Sequence, residues 1–292
     1  MILVTGAAGK TGKAVINALA RRGAATRALV RRETQAAAVN ALGARQVTMG
    51  DMADRSVLRQ ALSGVRAVYL VCPNMHQEEE LIGRLAIAAA REAGVKHFVY
   101  HSVMHPQTEK MPHHWHKLRV EEALFESGFN YTILQPAAYM QNVLAGRESM
   151  INEGIYRVPY PVETKISMVD LEDVAEAAAV VLTEPGHAGA VYELAGPEAL
   201  AQTEVAAMIS KTTGCPVRAA QVSPQLWRRQ AVASGLGKYQ VETLLKMFDY
   251  YARYGFWGNG NVLRWLLKRA PAGFAAFAER EFAVYRPSTD HQ

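Results

Sequence analysis

Short apolar runs alternate with longer amphipathic segments through the first two thirds of the chain, and the alternation predicts strands and helices in turn. Ile2–Thr5, Thr26–Val30, Gln46–Met49, Ala67–Val71, His97–His101 and Tyr131–Leu134 read as six strands. A helix is expected from about Thr11 to Arg22, and "VLRQALSG" and "EELIGRLAIAAAREAG" have helical spacing, the latter stopping at Gly94, a natural helix-terminating glycine. Strand, helix, strand repeated in this way implies an α/β fold, a doubly wound parallel sheet with helices on both faces. Ligands of such sheets bind beyond the carboxyl ends of the strands, where the strand order reverses.

After Pro136 the pattern loosens. "NEGIYRVPYPVETKISMVDLEDVAEAAAVVL" suggests a strand or turn, a Pro-rich crossing and then a helix, and "AVYELAG" (190–196) reads as one more strand returning to the sheet. From 197 onward the chain reads as helical and rich in aromatics. The expected division is a nucleotide-binding domain over 1–138, with 165–196 returning to it, and a smaller, mainly helical C-terminal lobe from 139–164 and 197–292. Within that lobe Tyr250–Trp257 is a candidate lid over a planar substrate.

Composition narrows the setting. The 292 residues are half hydrophobic and carry a formal net charge of +5, with the cations scattered in short pairs such as Arg21–Arg22 and Arg228–Arg229. No basic arm or recognition helix stands out, so a nucleic-acid partner is not expected, and an anionic small ligand suits the charge. Two distant cysteines, Cys72 and Cys215, argue against a disulfide framework. No apolar run is long enough to span a bilayer, the chain opens directly into a strand, and a cytoplasmic protein is the expectation.

"VTGAAGKTG" places Gly6, Gly9 and Gly12 between the first strand and its helix. The first glycine allows a tight turn, the second lets backbone approach a pyrophosphate, and the third lets the helix sit close. Ala8, Lys10 and Thr11 complete the loop, whose helix N-terminus offers a positive dipole end to phosphate. Where an NAD site would carry an acidic residue after the second strand, "ALVRRET" supplies Arg31 and Arg32. A guanidinium clamps a 2′-phosphate that a carboxylate would repel, which favours NADP(H) as cofactor. Asp51 and Met52 in "MGDMAD" are placed to border the adenine, and Cys72, Pro73 and Asn74 to face the middle of the cofactor.

"ILVTGAAGKTG", "RALVRR", "GDMAD", "WHKLRVEEALFESGFNYTILQPAAYMQN", "DVAEAAAVVL" and "YELAGPEAL" together resemble the NmrA-like branch of atypical short-chain dehydrogenase/reductases, from residue 1 to about 280. The resemblance implies a Rossmann domain, a smaller C-terminal lobe and NADP(H) binding. Members of that family are either reductases of quinones, dyes and other small unsaturated molecules or nucleotide-binding regulators without turnover.

Ordinary short-chain reductases carry Tyr-x-x-x-Lys on a helix, where the lysine holds the nicotinamide ribose and lowers the tyrosine pKa. The matching lysine is Lys117, but His113 stands four positions earlier in place of tyrosine. Lys117 inherits the ribose role by resemblance, and His113 and Tyr139 are the candidate proton donors. Ser102 occupies the place of the serine near the substrate carbonyl, with His101 and Pro136 beside the cofactor. His101, His105, His113, His114 and His116 form a dense set, but HExxH and nearby thiols are absent, so no metal is expected. His114 is expected to be solvated and His116 to pack or line the cleft.

These readings converge on an NADPH-dependent oxidoreductase of a small conjugated or quinone-like molecule, working as a monomer or homodimer without membrane partners. Two alternatives stay open: a redox-sensing regulatory protein that binds NADP(H) without turnover, and a non-redox biosynthetic enzyme on the same fold.

Overall fold

The computed structural model describes residues 1–286, so the last six residues of the expected C-terminal lobe lie outside the described residues. In chain order the elements begin with β1 (Ile2–Val4), α1 (Lys10–Arg21), β2 (Thr26–Val30), α2 (Ala36–Ala41), β3 (Gln46–Met49) and α3 (Arg55–Leu62). They continue with β4 (Ala67–Leu70), α4 (Glu79–Glu92), β5 (His97–His101), α5 (Pro112–Phe125) and β6 (Tyr131–Pro136). Next come β7 (Ala138–Tyr139), α6 (Arg147–Glu153), β8 (Ile155–Val158), β9 (Ile166–Val169), α7 (Leu171–Thr183), β10 (Ala190–Leu194) and β11 (Ala199–Leu200). The chain ends through α8 (Gln202–Thr213), β12 (Arg218–Gln221), α9 (Pro224–Ala233), α10 (Lys238–Tyr254), α11 (Asn261–Leu267) and α12 (Phe274–Phe282).

The residues divide into two compact units, Met1–Pro136 with Leu171–Glu193, and Ala137–Asp170 with Leu194–Gln292. The first is built on a seven-stranded sheet in the order β10-β6-β5-β4-β1-β2-β3. Every pairing from β3 across to β6 is parallel. This is the doubly wound Rossmann order, and it reverses between β1 and β4. The strands read as near-continuous apolar runs because helices cover both faces: β1, β4 and most of β5 are fully buried. Leu3, Leu58, Leu62, Phe98, Tyr100 and Leu124 lie in the core beneath α3, α4 and α5, while α7 packs on α1 across the other face.

The second unit has a three-stranded sheet, β11-β9-β7, and the parallel pair β12–β8, with helices around them. Its core includes Phe274, Phe277 and Phe282, all fully buried. Among the described residues, the elements after 197 are therefore helices except for β11 and β12. These strands are two and four residues long and pair with β9 and β8, so the signal for them lies far away in sequence. The candidate lid is split: Tyr251 and Phe256 are core residues stacked at 5.0 Å, whereas Tyr254 and Trp257 are exposed. No helix among the described residues is long and apolar enough to cross a membrane.

Candidate active site

The switch point lies where the loops after β1 and β4 meet. Thr5 joins them through a reciprocal pair of hydrogen bonds: its hydroxyl donates to the Val71 carbonyl at 2.9 Å and accepts from the Val71 N–H at 2.8 Å. Gly6 follows with φ +55°, which favours glycine, and its hypothetical Cβ would crowd Val71 at 3.2 Å. Gly12 is required by contact, since a Cβ there would lie 2.4 Å from the Gly6 carbonyl oxygen and 2.6 Å from Ala7 Cα.

Gly9 differs from both. Its φ of −76° suits any residue. A Cβ would meet one protein atom within 4 Å, the Gly6 carbonyl oxygen at 3.2 Å. That contact is tight but involves a single atom, so the protein's own packing demands glycine less at this exposed position than at Gly12. Helix α1 starts immediately after it with no side-chain cap and no acidic residue in its first turn, leaving the positive dipole end for an anion. A cradle that a side chain would fill, at an uncapped helix start, fits a dinucleotide pyrophosphate.

Around the loop, Ala8 is half-buried, and Lys10 and the side chains of Arg31 and Arg32 are exposed. The backbone N–H groups of Arg31 and Arg32 both donate to Gln35 Oε1 at 3.1 Å, which curls the chain after β2. Asp51 is exposed and accepts from the Ala53 N–H at 2.9 Å. Met52 and Cys72 pack into the hydrophobic core of this unit, and Asn74 stays exposed beyond half-buried Pro73.

Beyond β5 the site becomes polar and buried. Pro112 starts α5 as expected, with its missing N–H at a position that needs none. Lys117 Nζ lies 2.5 Å from Glu79 Oε1, at the start of α4, and 5.8 Å from the centre of the Tyr100 ring. The Tyr100 hydroxyl donates to the same Glu79 oxygen at 3.4 Å. Burial opposes the Lys117 ammonium, but Glu79, with Cys72 and Glu121 adding, keeps its pKa above the usual value.

One turn along α5, Glu121 accepts from the Ser102 hydroxyl and from Gln135 Nε2 at 2.9 and 3.0 Å. Burial raises the Glu121 pKa against the opposing pull of those hydrogen bonds and of Lys117. The contact that lets α4 reach Lys117 is a glycine: a Cβ on Gly83 would sit 2.6 Å from a Val120 methyl. Gly83 is one turn beyond Glu79 and Val120 nearly one turn beyond Lys117, so the close approach of the helices sets the ion pair.

His113 is buried and its Nδ1 has no hydrogen-bond partner. Burial, then the charges of His114, Lys117 and His116, push its pKa down to about 2. The ring is neutral at physiological pH, unlike an imidazole free to titrate near neutrality. His101 is likewise held neutral, at about 3, by burial and Lys117, and its Nδ1 lies 2.5 Å from the Tyr69 hydroxyl. His114 corrects an expectation: only 1 % exposed, it is not solvated, and its Nδ1 sits 3.1 Å from the His105 carbonyl oxygen. His116 is half-buried. Among the described residues no group of three His, Cys, Asp or Glu side chains is arranged to hold a metal.

The first unit thus gathers His101, Ser102, His113 and Lys117 beyond the β5 end of the sheet, together with Pro136 at the end of β6 and the glycine loop at the switch point. Tyr139 belongs to the second unit, on β7, paired with Val169 of β9. Sequence reasoning did not find Glu79, Tyr100, Glu121 or Gln135. Two signals for them existed: Glu121 is four residues beyond Lys117, the spacing that singled out His113, and Gly83 interrupts a helix that has no local need of glycine.

Comparison with known proteins agrees with this architecture. The model of the NmrA-like family matches residues 1–269. An NAD(P)H azoreductase of Xenophilus azovorans is 31% identical over 292 residues, covering 98% of this chain and 99% of that one. The crystal structure of the NADPH-dependent quinone oxidoreductase of Escherichia coli, complexed with NADPH, aligns with TM-score 0.85 and 30% identity over 97% of this chain and 100% of that one. The triphenylmethane reductase of Citrobacter sp. complexed with NADP(H) aligns with TM-score 0.84 and 25% identity, over 96% and 99%.

Proposed function

The chain belongs to the NmrA-like family, and from that premise we propose that it is an NADPH-dependent reductase of small, planar, conjugated acceptors such as quinones and azo or triphenylmethane dyes. The observation that carries the reading is Gly9, an exposed glycine less constrained by the protein's own packing than Gly12, at the uncapped start of α1. Full-length likeness to the azoreductase supports the choice of a turnover enzyme over a silent nucleotide sensor.

In this reading Gly6, Ala8, Gly9, Lys10, Thr11 and Gly12 form the pyrophosphate cradle, and exposed Arg31 and Arg32 receive the 2′-phosphate. Asp51 borders the adenine side. Lys117 presents its ammonium to the nicotinamide ribose. NADPH, when bound, supplies the hydride. The protein's part is to orient the acceptor, exclude water and manage one proton. His113 acts as a neutral hydrogen-bonding group, because its buried ring does not hold a second proton near pH 7. Ser102 has its hydroxyl committed to Glu121, so it braces the end of β5. A reduced quinone oxyanion is a stabilised anion, and protonation by water is sufficient for it. A cytoplasmic setting belongs to the same proposal, in keeping with two free thiols, Cys72 and Cys215.

The test is steady-state NADPH oxidation against a panel of quinones, azo dyes, triphenylmethane dyes and enones. Substrate-dependent oxidation by at least one class is expected. NADPH binding without oxidation across the panel would overturn the enzyme reading. Arg31→Ala and Arg32→Ala proteins are expected to lose preference for NADPH over NADH, and an unchanged ratio in both removes the arginines from cofactor choice.

A further inference from the structure

A lysine that meets a ribose must be held, because its flexible four-carbon stem has many rotamers to lose. In ordinary short-chain reductases a tyrosine shares that surface, and here the position is His113. The structure offers a different anchor. Glu79 comes from another helix, 38 residues away in sequence, and its carboxylate meets Lys117 Nζ at 2.5 Å. The Glu79 side chain is completely buried while Lys117 keeps 14 % exposure, so the carboxylate stands behind the ammonium and leaves it partly open.

Three further features separate this pair from an incidental ion pair. Glu79 does not cap its helix, whose N-cap is Glu78 with no side-chain cap. Its second oxygen, Oε2, is buried with no hydrogen-bond partner, so the carboxylate is not there to satisfy neighbouring backbone. And the helix contact at Gly83 and Val120 is closer than any side chain at 83 would permit, which fixes the separation of the two charges.

We propose that Glu79 is the positioning residue for Lys117, its carboxylate holding the ammonium at one point from which the remaining donors reach the ribose of the nicotinamide nucleotide. This rests on the reading of the chain as NADPH-binding. An ammonium has three donors, so one bond to Glu79 leaves two for the ribose hydroxyls. The groups facing Lys117 are Glu79 from α4, Cys72 after β4, Tyr100 and His101 from β5, and His113, His114 and Glu121 from α5 itself. Of these, Glu79 is the acid in direct contact. Without it, burial would dominate and the lysine would lose its proton at lower pH.

The experiment is calorimetric titration of NADP⁺ into wild type, Lys117→Ala, Glu79→Gln and the double variant Glu79→Gln/Lys117→Arg, from pH 6 to pH 9. Wild-type affinity is expected to follow only the 2′-phosphate of NADP⁺, whose second ionisation lies at about pH 6, and to stay flat above about pH 7. Glu79→Gln is expected to bind within about threefold of wild type at pH 6 and about tenfold or more weaker by pH 9, as the unpaired ammonium titrates. The double variant is expected to lose that pH dependence, because a guanidinium stays charged. Equal weakening of Glu79→Gln at every pH, or no weakening, overturns the proposal. If wild type binds no NADP⁺, the cofactor reading falls and the proposal with it. If wild type binds and Lys117→Ala binds as tightly, the cofactor reading stands and the proposal falls.

A second measurement needs neither cofactor nor a folded Glu79→Gln protein. The ¹⁵N resonance of the Lys117 ammonium, assigned by its disappearance in Lys117→Arg, is expected to remain mostly protonated at pH 10.5 in the ligand-free protein. A midpoint below that value overturns the proposal.

Discussion

In the proposed reading, the loop after β1 and the start of α5 present opposite solutions to holding one ligand. In the loop the working parts are absent side chains: Gly12 because the protein's backbone occupies the space, Gly9, in the proposed reading, because a pyrophosphate would. At α5 the working parts are charged side chains withdrawn from water, Lys117 against Glu79 and Glu121 against Ser102 and Gln135. Removing a side chain is cheap to encode locally, within seven residues of sequence. Hiding a charge requires a counter-charge or hydrogen-bond donors brought from a distant element, since a lone buried ion is strongly disfavoured. The lesson is that the first kind of site tolerates loss of ligand without strain, whereas the second is part of what holds the fold together.

That contrast is sharpest in the variant with the largest expected effect. Lys117→Ala leaves the Glu79 carboxylate buried with no cation and is expected to destabilise the protein by about 3–5 kcal/mol in urea unfolding. An unchanged midpoint would erase the distinction between the two ends of the site.

Next comes acid. The folded-state pKa values of His101, His113 and His114 are depressed to about 3, 2 and 4, all with burial as the leading cause. The unfolded chain therefore binds more protons, and stability, full above the ordinary histidine value near 6.5, falls as pH drops below it. Each such histidine costs about 1.4 kcal/mol per pH unit below 6.5. His113→Gln is expected to narrow the stability difference between pH 7 and pH 5 by about 2 kcal/mol, read from thermal or urea melts at the two pH values. The glycine loop, which contains no histidine, adds nothing to this dependence.

Smaller effects test the loop itself. Gly12→Ala forces a methyl into backbone and is expected to cost about 1–3 kcal/mol of stability. Gly9→Ala, whose methyl would meet one atom, the Gly6 carbonyl oxygen at 3.2 Å, is expected to change stability by less than about 1 kcal/mol. The same variant should bind NADPH about tenfold more weakly, because its methyl fills the cradle. A Gly9→Ala protein with native cofactor affinity would make Gly9 incidental to binding.

The difference between the two regions also explains what could be read in advance. The six strands and the glycine loop were legible because their signals are local: apolar runs, a tight turn and a helix start in one short stretch. Pro112 as the first residue of α5 was legible for the same reason. Glu79 was hidden inside "EEE", where an acidic helix start accounts for it fully, and its partner lies 38 residues away. His114 was misjudged because α5 has no clean apolar stripe: His113, His114 and Glu121 are buried alongside Val120, Ala123 and Leu124. Hydrophobicity cannot choose the inner face of a helix whose inner face is polar. Strands β7 and β11 were missed because two residues have no period to detect, and β9, as long as β3 and β4, was missed because it lies outside the strand–helix alternation that marked those two.

One feature of the first unit bears on how the protein is made. Its chain leaves at Pro136 and comes back at Leu171 to supply α7, which covers α1, and β10, which lies beside β6. The return is stitched by Gly189 N–H to the Tyr131 carbonyl at 2.7 Å, by the Thr132 hydroxyl to the His187 carbonyl at 2.6 Å, and by Arg22 to Glu184 at 2.8 Å. A nascent chain at residue 136 already holds every glycine and arginine of the proposed cofactor cradle, yet one face of α1 and the edge of β6 are bare. Some sixty further residues must leave the ribosome before that half can close. During that interval the exposed β6 edge is a pairing surface for other chains, and a truncated nucleotide-binding fragment would keep it permanently.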